Sequence, residues 1–156
     1  MNNLENMASH KFLEITFDKF IFKVATDRSY SREGLWVLQD GNHIRIGISD
    51  FLQQRSGDIA FVEIKPVGSL LTPGDEVTVI ETIKVNISLT CPVTGAVVEV
   101  NPLLDVNPEV INKDPFGDGW LAVMEAKDWE NDRQALLDAQ AYFNLMIEQA
   151  GQELGK

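Results

Sequence analysis

The sequence predicts a mainly β domain, a barrel or sandwich of short strands with an amphipathic helix at its C-terminal end. Three observations carry that expectation. Short apolar runs recur between Pro- and Gly-bearing turns from Phe12 onward. The apolar period then lengthens, past Asn131, from two to about 3.6 residues. The chain has 156 residues, 44% of them hydrophobic, which suffices to bury a core without disulfides or a metal.

The elements follow in order. Phe12, Ile15, Phe17, Phe20, Phe22 and Val24 mark one face of an alternating segment, with Ile21 and Lys23 on the other. Trp36-Val37-Leu38 and Ile44-Arg45-Ile46-Gly47-Ile48 flank the turn Gln39-Asp40-Gly41-Asn42, a β-hairpin pattern. Ser49 or Asp50 is placed to cap a helical turn from Phe51 to Arg55, ended by Gly57. Strands are predicted over 58–64, 69–71, 76–82, 87–89, 95–100 and 120–124. Turn residues separate them at Lys65-Pro66, Thr72-Pro73-Gly74-Asp75, Pro92-Val93-Thr94-Gly95 and Asn101-Pro102. Val67-Gly68-Ser69-Leu70-Leu71 and Thr94-Gly95-Ala96-Val97-Val98 form an internal echo around the segment between them. Asn131 and Gln134 fit a capping box, after which Leu136, Ala139, Phe143, Met146 or Ile147, and Ala150 share a helical face up to Gly151. The organisation expected is a flexible N-terminus over 1–11, a β domain over 12–127, and a helix over 128–151 packed on that same domain.

Charge narrows the function. Thirteen Lys and Arg stand against 24 Asp and Glu, a formal charge of −11. That balance argues against nucleic acid and anionic membranes, which need a basic face, and favours partners with basic patches. The start lacks a secretory signal pattern and no apolar run reaches membrane-spanning length, so a cytoplasmic setting is expected. Cys91 is the single cysteine, which excludes an internal disulfide, and its place between Thr90 and Pro92 suggests a buried thiol. His10 and His43 have no metal-ligand spacing to a second His or Cys, and no metal is expected. The glycines fit neither a phosphate-binding loop nor a dinucleotide fingerprint. No catalytic residue is predicted.

One lysine stands apart. Lys84 lies midway between two strand-like runs, flanked by Ile83 and Val85, and so near a hairpin tip. A lysine held there suits enzymatic acylation, although an ordinary surface lysine fits the pattern too.

Around it the sequence resembles the glycine cleavage H-protein family. The resemblance rests on Ile46-Gly47-Ile48-Ser49-Asp50, the run from Gly57 to Glu63, Glu81-Thr82-Ile83-Lys84, the run from Pro92 to Asn101, and the run from Asn112 to Trp120. It implies a lipoyl-type barrel-sandwich hybrid and a non-catalytic carrier with lipoate amide-linked to Lys84. Glu81, Ile83 and Val85 would then form the hairpin recognised by a lipoate-attaching enzyme. A dihydrolipoamide dehydrogenase-like enzyme and the pathway enzymes would be the other partners. The absence of methionines beside Lys84 argues against biotin. The chain also departs from the family. Glu33, Gly34 and Leu35 precede Trp36 where a Ser-His-Glu is usual, and Ser88 replaces an aspartate four residues after the lysine. With Leu35, Trp36 and Ser88 as candidate walls of the arm's pocket, two carboxylates for a cationic aminomethyl cargo are missing. This favours a sulfur carrier in heterodisulfide-reductase-like sulfur oxidation, with weak glycine exchange. The alternatives are an aminomethyl-carrying H protein of the glycine cleavage system and an unmodified β-domain interaction protein.

Overall fold

The computed structural model describes residues 11–154. The expected flexible start therefore lies almost wholly outside the described residues. Strands β1 (Phe12–Phe17) and β2 (Phe20–Ala25) form a separate hairpin. A six-stranded sheet has the order β3 (Ser29–Tyr30), β4 (Leu35–Asp40), β5 (His43–Ile48), β11 (Ala122–Ala126), β10 (Gly95–Val100) and β7 (Leu70–Leu71). A three-stranded sheet has the order β6 (Ile59–Ile64), β8 (Glu76–Thr82) and β9 (Asn86–Thr90). All of these neighbours are antiparallel. The two echoing segments pair with each other, Leu71 opposite Gly95 and Leu70 opposite Ala96.

Strand periodicity builds two cores. On β4, Leu35 and Val37 face the three-stranded sheet and join Ile44, Ile46, Ile48, Ile59, Val62, Val77, Ile80 and Leu89. Trp36, between them, faces the other way and joins Phe22, Val24, Tyr30, Phe51, Tyr142 and Met146. The larger sheet is thus buried on both faces, a three-layer arrangement with the hairpin and terminal helix outermost. Gly47, opposite Trp36, must lack a side chain: a Cβ there would lie 2.4 Å from the indole.

Helix α1 (Asp50–Ser56) begins as the sequence predicts, with the Ser49 hydroxyl accepting the Leu52 amide at 3.2 Å. Gly57 ends it at φ 86°. Short helices α2 (Leu103–Val106) and α3 (Val110–Lys113) occupy a stretch to which the sequence reading assigns no element, and the strand expected over 120–124 runs over Ala122–Ala126.

The terminal helix differs from expectation. The segment after residue 128 makes a turn, α4 (Trp129–Asp132), then a 3₁₀ turn, Arg133–Ala135. Helix α5 runs over Ala139–Leu154, past Gly151. Tertiary bonds override the local capping box. The Asp132 carboxylate accepts the Thr94 amide at 2.7 Å, and Leu137 exchanges two 2.8 Å backbone bonds with Tyr30. The working cap is Asp138, whose carboxylate accepts the Ala141 amide at 2.8 Å. Tyr142 then stacks on Tyr30 at 4.5 Å and its hydroxyl meets that of Ser49 at 2.8 Å.

Met146 is fully buried against this second core, whereas Asn144 is exposed. Met146→Ala is expected to cost about 3 kcal/mol in urea unfolding. Asn144→Ala should stay within about 0.5 kcal/mol.

Candidate functional site

The β8–β9 hairpin closes with Glu81 opposite Asn86, which leaves Ile83, Lys84 and Val85 beyond the last paired residues. Thr82, buried at the end of β8, braces this tip. Its hydroxyl oxygen accepts the amides of Lys84 at 3.2 Å and Val85 at 3.0 Å. Its hydroxyl and amide in turn both donate to the Val85 carbonyl, at 3.1 and 2.8 Å. A tip without such bonds leaves the lysine on a loose turn. Here a threonine side chain substitutes for ladder bonds that the reversing strand cannot make. Ile83 is 85% exposed, so the tip stands clear of the body.

The Lys84 side chain leans back over the end of α1. Its Nζ donates to the Arg55 carbonyl at 3.2 Å. A Cβ at Gly57 would lie 3.3 Å from Lys84 Cε, so a small residue keeps this floor low. Asn112 fixes the floor: its amide donates to the Gln53 side chain at 3.1 Å and the Gly57 carbonyl at 3.0 Å. Its side-chain oxygen accepts the Ile59 amide at 3.0 Å. Nζ therefore rests on a backbone carbonyl, which takes no proton. The arrangement leaves the amine exposed and that carbonyl unable to activate it as a base or nucleophile.

The other predicted residues divide. Glu81 is half-buried on the same hairpin, three residues before Lys84, and Val85 is exposed beside it. Leu35 and Trp36 do not wall a pocket: both are fully buried, one in each core, because β4 is covered on both faces. Ser88 is open to solvent on the outward face of β9, between Asn86 and Thr90. Its hydroxyl donates to a Glu76 oxygen at 2.5 Å. The Glu33 carboxylate reaches the same strand and accepts the Thr90 amide at 2.9 Å and its hydroxyl at 2.8 Å. The outward edge of β9 thus carries two carboxylates that position-by-position matching missed. Thr82 was missed as well, although a hydroxyl-bearing residue at the start of a turn is a recognisable signal.

Cys91 is buried. Its thiol donates to the Val93 carbonyl at 3.1 Å, and burial pushes its pKa up to about 11. The native thiol should therefore resist an aromatic disulfide reagent at pH 8 and react fully once the chain is unfolded. Thr82→Val should speed hydrogen exchange of the Val85 amide by roughly tenfold, the scale of one net hydrogen bond, while leaving the β8 amides unchanged.

Comparison with known proteins fits this geometry. The profile described as Glycine cleavage H-protein matches residues 28–149. A glycine cleavage system H protein of Thermus thermophilus is 35% identical over 127 residues, covering 81% of this chain and 98% of that protein. That of Beutenbergia cavernae is 44% identical over 119 residues, covering 76% and 93%. A probable H protein of Natronomonas pharaonis is 45% identical over 121 residues, covering 78% and 94%. Among solved structures, a glycine cleavage H protein from Mycobacterium marinum superposes with a TM-score of 0.68 at 29% identity, covering 83% of this chain and 98% of that one. The chain belongs to the glycine cleavage H-protein family, whose members are non-catalytic carriers with lipoate attached covalently to a lysine.

Proposed function

We propose that Lys84 is the lipoylated lysine and that this protein is the aminomethyl-carrying H protein of a glycine cleavage system. The observation that carries the reading is a lysine on a braced, protruding hairpin tip within the family-matched span. The residues present fit the group: Nζ is exposed, and acylation leaves it one N–H, enough to keep its bond to the Arg55 carbonyl. When attached, lipoate supplies a dithiolane that exchanges with thiolates. The chain's part is to hold the attachment point, dock on each partner and supply charge where cargo must rest. A tether makes each encounter partly intramolecular once the proteins have docked. The partners proposed are a lipoate-attaching enzyme, a dihydrolipoamide dehydrogenase-like enzyme and the glycine cleavage enzymes, in the cytoplasm.

The preference for a sulfur carrier loses its basis. It rested on Leu35 and Ser88 leaving a cationic amine without carboxylates. Leu35 is buried, while Glu33 and Glu76 stand on the outward side of β9. Ser88 is four residues from Lys84, at most about 14 Å away along the chain, which is within the length of a lysine side chain extended by an eight-carbon acyl group. A carboxylate offers an ammonium group a charge-assisted bond about twice as strong as a neutral one. The relatives described above are also named for glycine cleavage, and the sulfur pathway finds no support in them.

Coexpression with a lipoate ligase should add about 188 Da to the intact mass, and Lys84→Arg should abolish the gain. Glu81→Gln should slow modification without changing stability by more than about 0.5 kcal/mol. The lipoylated protein should support glycine–bicarbonate exchange by glycine decarboxylase at the level of an authentic H protein. Glu33→Gln with Glu76→Gln should lower it by roughly tenfold, or about 1.4 kcal/mol. Full lipoylation with exchange near background would return the sulfur carrier. An unmodified mass would favour the interaction protein.

A further inference from the structure

The β1–β2 hairpin has no part in the site described above. It turns at Asp18-Lys19, with Asp18 at φ 54°, and lies wholly before residue 28, where the family match begins. Yet it comes to the foot of Lys84. Phe20 and Phe22 of β2, Phe51, Gln54 and Arg55 of α1, Glu153 near the end of α5, and Lys84 itself line a groove of about 330 Å³. Such a volume lies at the lower end of small-ligand clefts.

The groove is apolar along its length and polar at its rim. Phe20 stacks on Phe22 at 6.2 Å, and Phe22 meets Phe51 edge-on at 5.2 Å. Arg55 lies over the Phe51 ring at 5.6 Å and bridges to Glu153 at 3.0 Å. The hairpin is held in place from α1. Asp50 accepts the Lys23 amide at 2.9 Å, and the Gln54 side chain donates to the Ile21 carbonyl at 2.8 Å. Phe20 nonetheless remains 38% exposed, a large ring kept in water at the tip of a hairpin.

We infer that this groove holds the unloaded lipoyl arm of Lys84, with the β1–β2 hairpin as its apolar wall; the inference rests on lipoylation at Lys84. The occupant follows from attachment. Lys84 Nζ already lies at the mouth, bonded to the Arg55 carbonyl, and the single N–H of an amide at that atom can keep this bond. The acyl chain then begins at the groove, and its methylenes and dithiolane gain by leaving water against the exposed Phe20 ring, with the nearly buried Phe22 and Phe51 behind it. The groove offers that chain no carboxylate except Glu153, which Arg55 engages. The outward side of β9 offers two. An apolar arm and a cationic one are thus drawn to different places on the same protein.

The test compares unmodified and lipoylated full-length protein by NMR, after intact mass confirms the gain of about 188 Da. Lipoylation should shift the resonances of Phe20, Phe22, Phe51 and Gln54, not only those of residues 82–86. Phe20→Ser should raise the rate at which a water-soluble phosphine reduces the dithiolane by roughly threefold or more, the scale of one ring's partial contact. Phe61→Ser should leave it unchanged, since Phe61 is exposed but lines a different cleft. Shifts confined to the hairpin tip, or an unchanged rate in Phe20→Ser, would overturn the groove while leaving lipoylation standing. An unmodified mass would overturn both.

Discussion

The indole of Trp36 is the contact on which the outer layer depends. It lies across Gly47, donates to the Pro115 carbonyl at 2.9 Å, and carries the Arg28 guanidinium 4.6 Å from its centre. Arg28 is itself buried, and it donates to the Phe116 carbonyl at 3.0 Å and to Asp27 at 2.8 Å. One ring thereby joins β4, β5, the start of the family-matched span and the segment from Asp114 to Trp120. Because the ring must be covered, the larger sheet needs a second layer, and the hairpin and α5 provide it. That layer brings Phe20, Phe22 and Glu153 toward Lys84. The surroundings of the lysine are therefore fixed from the far side of the sheet, through packing that never touches the tip.

Much of this was legible because it is local. The Ser49 cap, the Gly57 stop and the midpoint position of Lys84 are short-range patterns that hold in the structure, while the turn expected over 39–42 narrows to Gly41-Asn42, with Gln39 and Asp40 paired in β4. Non-local competition defeated the helix start. Asn131 to Gln134 reads as a cap, but Asp132 is drawn to Thr94 and Leu137 to Tyr30, so the chain makes only two short helical turns and the long helix waits for Asp138. The arm's surroundings failed for another reason. Matching residues position by position compares side chains on equivalent Cα atoms, whereas chemistry depends on where the oxygens end up. Glu33 starts two residues before the position matched to a carboxylate and still reaches β9.

Division of labour is visible in the residues near the arm. Those that hold the tip, Thr82, Gly57 and Asn112, act through hydrogen bonds and closeness of approach, and none is a strong acid or base. The one thiol is buried and bonded within the core, so it does not compete with thiols carried on the arm. The carboxylates that bond β9, Glu33 and Glu76, line no part of the aromatic groove. A carrier profits from this separation, since the body remains inert while the arm reacts.

The bond from Glu33 to Thr90 has a consequence beyond charge. Among the described residues, strand β9 is an edge strand, paired with β8 alone. Open amides along such an edge are a template on which another chain's strand can add. The Glu33 carboxylate occupies the Thr90 amide, and the Ser88–Glu76 pair adds polar bulk alongside. By bonding that amide from within, the chain withholds part of the edge on which a strand of another copy would add.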